Sequence, residues 1–282
     1  MGMIDTGVIG RTVSSILAIC LSTAAMAEPC TDMGSGAYPA TQSLQTLVDM
    51  SKKAGLKKDE FETTAAYQAR LSAAGAGLDG KTYVIEWPLD SGFKFDADTG
   101  MVSYSNYTLN TTCLISSYGL SDEVKAVKFG PKAKYGVESS YCFDRTTSQE
   151  SGTPYKASNS YGASVEVKPI RAKGVGIYLG SGDISQNVWT GKSRDYSSSD
   201  LFKVSMEPEA ARSLKENGTA LFVISPKAPF AFQSSYHIEP KINRPTEITT
   251  TTDYIVADVA CVALADPKLK KVYQVRELRA GR

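Results

Sequence analysis

The sequence predicts an α+β fold, a largely antiparallel sheet with about three short helices, two of them N-terminal. Short runs rich in β-branched and aromatic residues, bounded by Gly, Pro, Asn or Asp, recur from Lys81 onward. Helical spacing of apolar residues is confined to two stretches before Gly75 and one after Pro208. Many strands with few helices indicate α+β, and no fixed-period repeat is visible.

Met1 to Ala27 has the layout of a cleavable secretory signal. Val13 to Met26 is mostly apolar or small, Arg11 precedes it, and Ala25-Met26-Ala27 puts small residues at −3 and −1. Cleavage after Ala27 makes Glu28 the mature start. Asp5 offsets Arg11, so the leading segment has no net positive charge. Leu17-Ala18-Ile19-Cys20 superficially resembles a lipidation site, but Ile19 is too bulky before a lipidated Cys. The expectation is soluble export to the periplasm. The apolar stretch is shorter than the ~20 residues that span a bilayer, and no later stretch approaches that length, so no transmembrane segment is expected.

The mature chain then reads as one domain, residues 28–282, with a possible sub-domain joint near 146–160. Glu28 to Ala40, with Gly34, Gly36 and Pro39, is an irregular lead-in. Thr41 is the expected cap of a helix carrying Leu44, Leu47, Val48 and Met50, stopped at Gly55. A second helix follows in Phe61–Leu71, with Thr63 as preferred N-cap and Asp59 with Glu62 as a rival capping-box start. It would turn Tyr67, Leu71 and Ala74 inward. Thr82–Trp87 is a strand ended by Pro88. Phe93–Phe95 and Met101–Tyr104 flank Asp96-Ala97-Asp98-Thr99-Gly100, a hairpin signal.

Further strands are expected at Leu109–Ser117, Val124–Phe129 and Val137–Phe143, before a surface loop at Thr146–Ser160. Ser164–Ile170 and Val175–Leu179 read as another strand pair, and Gly180–Asp200 as a polar stretch. Leu201–Val204 is a short strand. Pro208 opens a third helix with Ala211 and Leu214 inside and Gly218 at its end. Ala220–Ile224, Phe230–Ile238 and Tyr254–Leu264 are strands, and Val272–Val275 closes a hairpin through Asp266-Pro267.

Composition narrows the function. The net charge is +1, which lacks the concentrated positive field that nucleic acid requires. Fifteen Tyr against nine Phe and two Trp suits half-buried sheet faces. Removing the signal leaves Cys30, Cys113, Cys142 and Cys261, an even count that reads as two disulfides in an oxidising compartment. Four cysteines allow three pairings, and the sequence does not choose among them; the preferred one joins Cys113 to Cys142, closing the shorter loop between two expected strands, and Cys30 to Cys261, tying down the N-terminus. A zinc site is the competing use, weakened by the lack of Cys-x-x-Cys and by a single His, His237.

No reactive motif emerges. His237 sits in a strand without a nucleophile motif, and no Gly-x-Ser-x-Gly elbow exists. Ser91-Gly92-Phe93-Lys94 matches Ser-x-x-Lys, but that chemistry needs a helix where a hairpin strand is expected. Asp96 and Asp98 fit turn formation better than a calcium loop, because Gly100 and Tyr107 fall where ligands belong. Gly174-Val175-Gly176 lacks the rest of a dinucleotide loop. No cofactor or metal is expected. Trp189, with Lys192, Arg194 and Tyr196, is the candidate ligand contact: an aromatic beside cations can grip a sugar or peptide. The alternative is that the ring folds over a sheet edge.

Lys58-Asp59-Glu60-Phe61-Glu62-Thr63-Thr64, followed by Tyr67 and Arg70, resembles a Lys-x-Glu-Phe-Glu-Thr helix motif of uncharacterised exported bacterial proteins. In these a central segment around Asn-Ala-Phe-Gly is shared, and Ser158-Asn159-Ser160-Tyr161-Gly162-Ala163 stands in its place here. The resemblance implies an envelope location and brings no activity with it. The sequence thus leads to a periplasmic, non-enzymatic binding or envelope-associated module whose partner is an unknown envelope protein, peptide or glycan. The alternative is an envelope hydrolase acting on glycan or peptide, which would need carboxylates such as Glu166, Asp183 and Asp195 to converge.

Overall fold

The computed structural model describes residues 24–52, 59–75, 77–89, 92–105, 120, 122–128, 138–183 and 200–277. It is β-rich and mostly antiparallel, in keeping with an α+β class. Helices α1 (Ala24–Gly34), α2 (Leu44–Lys52) and α3 (Thr64–Gly75) precede strand β1 (Tyr83–Pro88) and the hairpin β2 (Phe93–Asp96) and β3 (Met101–Ser105). After α4 (Asp122–Ala126) come β4 (Glu138–Ser151), β5 (Tyr155–Ser158), β6 (Ser164–Asp183), β7 (Asp200–Ser205) and α5 (Pro208–Asn217). Strands β8 (Thr219–Ile238), β9 (Thr246–Asp266) and β10 (Lys271–Glu277) complete the described chain.

Local chemistry explains several elements. The hairpin turn is held by Asp96, whose carboxylate accepts the amides of Asp98 and Thr99; the Thr99 side chain first, then the Asp98 amide, holds its pKa below the ordinary value. Gly100 takes the positive φ that the turn requires. Helix α5 starts at Pro208, after an N-cap Glu207 in extended conformation, and buries Ala211 and Leu214. Thr63 caps α3 by accepting the Ala66 amide at 3.1 Å. The Asp59 amide donates to Glu62, so the rival cap operates beside it. Asp266 accepts the amides of Lys268 and Leu269 and turns β9 into β10.

Other expectations are corrected. Thr41 does not cap α2; its hydroxyl donates to Glu86, and Leu47 bonds back to Ser43. The strand expected at Val124–Phe129 gives way at Val124–Ala126 to α4, where Asp122 and Glu123 occupy the first turn that favours negative charge; Phe129 lies outside the described residues. Thr146–Ser151 is no loop but the second half of β4, and Tyr155–Ser158 is β5. The pair Ser164–Ile170 and Val175–Leu179 is one strand, β6, and it continues into Gly180–Asp183. Ala220–Ile224 and Phe230–Ile238 likewise join in β8, with a register shift between Pro226 and Ala231. The strand expected at Leu109–Ser117 and the stop at Gly55 lie outside the described residues.

The larger sheet has the order β1-β8-β9-β6-β4, with β10 also on β9 and β5 on β6. Pairing is antiparallel except between β6 and β9. The smaller sheet is β2-β3-β7. Strands lie about 4.8 Å apart, so a flat sheet would hold β1 and β4 roughly 19 Å from each other. Yet the Arg145 guanidinium on β4 sits 5.3 Å from the Trp87 ring on β1, and Phe143 on β4 sits 4.9 Å from Phe222 on β8. The sheet is therefore rolled, with Trp87, Phe143, Ile177, Phe222 and Ile255 on its inner face. Helices α2 and α5 and the smaller sheet contribute Leu44, Leu47, Leu214, Tyr104 and Phe202 to the same core. Fully burying each such side chain contributes about 1.5–3 kcal/mol.

The outer face carries two smaller clusters. One lies under α1, whose Met33 packs with Val84, Leu221, Val223 and Val272. There Cys30 and Cys261 form a disulfide, as expected, across 231 residues of chain. The other holds Val124, Tyr178, Phe232, Tyr254 and Val256 beside Cys142. Cys142 is disulfide-bonded too; Cys113, its expected partner, lies outside the described residues.

Close strand approach needs a missing side chain on β6. A Cβ on Gly176 would stand 2.5 Å from the Tyr254 ring and 2.6 Å from the Phe143 carbonyl oxygen. Gly176→Ala is expected to cost about 2–3 kcal/mol in urea unfolding. Gly77→Ala, where nothing lies within 4 Å, should change stability by less than about 1 kcal/mol.

Candidate functional site

Strand registers extend the inner face beyond the apolar core as a series of polar rows. Arg145 (β4), Val175 (β6), Asp253 (β9) and Gln233 (β8) lie abreast. Beyond them come Ser148, Lys173, Thr251 and Ser235, then Glu150, Arg171, Thr249 and His237. Residues alternating along a strand share a face, so all of these continue the surface on which Phe143 and Ile255 are buried. Apart from Val175, which belongs to the core, these side chains are polar, and Arg171, Lys173 and His237 are exposed.

Ion pairing in these rows is uneven. Asp253 receives Lys52 from α2 and the Gln233 amide at 2.8 Å. Glu247 accepts the Tyr155 hydroxyl at 3.1 Å and lies 3.5 Å from His237 Nε2. Burial first, then the Glu247 bond, raises the Tyr155 pKa. Arg145 differs: its guanidinium is half-buried over Trp87, and its buried Nε meets no acceptor. No carboxylate among the described residues pairs with it, nor with Lys173 or Arg171. A guanidinium offers five donors in a fixed fork, and a desolvated donor left unmade is costly.

Other polar clusters stand elsewhere on the sheet. His237 Nδ1 lies 3.1 Å from the Thr249 hydroxyl, so Thr249, His237 and Glu247 form a line. It stands on an exposed part of the sheet, with His237 46% exposed at its side chain. On the outer face the Tyr254 hydroxyl donates to Asp144, and the Cys142 sulfur is 4.0 Å from that hydroxyl. Burial, then the Asp144 charge, pushes the Tyr254 pKa far up. Glu166 and Asp183 occupy opposite ends of β6 and do not converge. Among the described residues, no three His, Cys, Asp or Glu side chains gather as a metal site. Trp189, Arg194, Tyr196, Lys192 and Asp195 lie outside the described residues.

The segment Asp59–Arg70 is built as a helix start. Arg70 donates to both Glu62 carboxylate oxygens, at 2.9 and 2.7 Å, and its guanidinium stacks 5.3 Å from the Tyr67 ring. Tyr67 is buried, whereas Phe61 is 88% exposed. The Asn159 side chain accepts the amides of Tyr161 and Ala163 and shapes the β5–β6 turn, leaving Tyr161 93% exposed. Both segments therefore fix a backbone and present an aromatic ring to solvent.

Sequence reasoning missed Arg145. Its signal is a pairing with Trp87 across 58 positions, which no local pattern carries. No family model matches the sequence, and neither a curated protein nor a solved structure is significantly similar to it.

Arg145→Met keeps an unbranched apolar stem and removes the guanidinium that lies over Trp87. Its stability in urea should stay within about 1 kcal/mol of the parent; a loss above about 3 kcal/mol would reveal an ion-pair partner. Tyr254 gives a pH signature. Its folded pKa is raised, so its contribution is complete below the unfolded value of about 10 and is lost as pH rises further. The urea midpoint should fall above about pH 10, and Tyr254→Phe should flatten that fall.

Proposed function

We infer that the protein is an exported, periplasmic binding module without catalysis, locked by disulfides and working through the polar end of its rolled sheet. The observation that carries this reading is the Cys30–Cys261 bridge, which clips α1 to β9 and belongs to an oxidising compartment. Helix α1 supports the leader as well. Pro29 lies inside it, where a proline costs a backbone hydrogen bond. Cleavage after Ala27 would leave Pro29 as the second residue, a position that suits it. No helix among the described residues is long and apolar enough to cross a membrane. The partner on this reading is an envelope protein, peptide or glycan.

The competing reading is an envelope hydrolase. The Thr249–His237–Glu247 line favours it, since a hydroxyl beside an imidazole oriented by a carboxylate is a nucleophile arrangement. Exposure of that line, without a described donor pair for a developing oxyanion, weighs against it.

Intact-mass analysis of envelope-purified protein tests the main reading. The expected mass is that of residues 28–282 less four hydrogens, with no alkylation before reduction. A retained leader or four free thiols would overturn it. So would ester or glycan turnover abolished by Thr249→Ala.

A further inference from the structure

The geometry points to a carboxylate-binding site on the inner face of the sheet's open end, anchored by Arg145, that takes an acidic peptide in extended form. The inference rests on the binding-module reading and names its ligand class.

Arg145 is the foundation. A guanidinium on a flexible stem ordinarily reaches solvent or a carboxylate. This one is held over the Trp87 ring, with Nε buried and without an acceptor. Its edge stays accessible, since the residue as a whole is only half-buried. Stacking fixes the plane of the fork, so little freedom remains to be lost when a carboxylate accepts two parallel N–H bonds.

The neighbouring cations set the ligand's shape. Lys173 and Arg171 follow at alternate positions of β6, on the same face, beginning two residues from Val175, the cross-strand partner of Arg145. Alternate residues of a strand are about 6.4–6.8 Å apart. Side chains on one face of an extended peptide repeat at the same interval, so acidic residues at every second position would meet these cations in step. Competing charges on this face are mostly engaged: Asp253 with Lys52 and Gln233, Glu247 with Tyr155 and His237. Among the described residues Glu150, directly across from Arg171, is the carboxylate placed to oppose the ligand there, which concentrates binding on Arg145 and Lys173.

Fluorescence anisotropy with the mature, oxidised protein and a labelled peptide alternating Glu and Ser tests this. Saturable binding that weakens with salt is expected, with the Gln-for-Glu peptide at least about tenfold weaker. Arg145→Gln should weaken binding about tenfold or more. The double variant Arg171→Gln/Lys173→Gln changes only exposed residues and serves if Arg145→Gln fails to fold; it should weaken binding and flatten the salt dependence. Lys241→Gln, at the β8–β9 turn, should leave affinity unchanged. Equal affinity for both peptides, no saturable binding, or no loss in either cation variant would overturn the site. Binding of oligogalacturonate with the peptide silent would overturn the peptide assignment. A protein of correct mature mass with intact disulfides that ignores the peptide would reject this ligand and leave the export reading standing.

Discussion

Phe143 can touch Phe222 only because the strands between them bend. Two glycines on β6 make room: Gly174 and Gly176 sit under Thr252 and Tyr254 of β9, with β4 carbonyls close on the other side. Register shifts in β4, β8 and β9 supply the local turn of the strands. The resulting roll encloses one apolar core and lets a three-stranded sheet close against it. Every later feature follows from this curvature, including the meeting of Arg145 with Trp87 from strands at opposite ends of the sheet.

Curvature also separates the duties of the two sheet ends. At the β1–β10 end the inner face is closed over by apolar side chains, and α1 covers the outer face. At the β4–β5 end the same strands run on past the core, and their inward side chains become charged. The long strands thus act as a rigid frame for a polar surface. Binding residues placed on strands hold position better than those on loops.

The reading from sequence succeeded where chemistry is local. Asp96 to Gly100 specifies its hairpin, Pro208 its helix start, and Thr63 its cap, each within a few residues. It failed where strands outrun the core. Residues 171–174 fell between two expected strands that are one, because Arg171 and Lys173 are exposed and polar there, and Thr146–Ser151 read as a loop because all six of its residues are polar and exposed, which leaves no alternation to mark a strand. The even count of cysteines pointed to disulfides, but the choice of Cys261 as the partner of Cys30 among three pairings is made by the fold, which lays α1 against β9. Arg145 was not legible either, since its distinction lies in lacking a partner, a property that only the folded arrangement defines.

The Cys30–Cys261 bridge has a topological corollary. It joins α1 to β9, so the whole stretch from Cys30 to Cys261 forms a covalent macrocycle. A protease that nicks any single peptide bond within that ring leaves one molecule, its two fragments still tethered. Release of either piece takes a reductant as well as the cut.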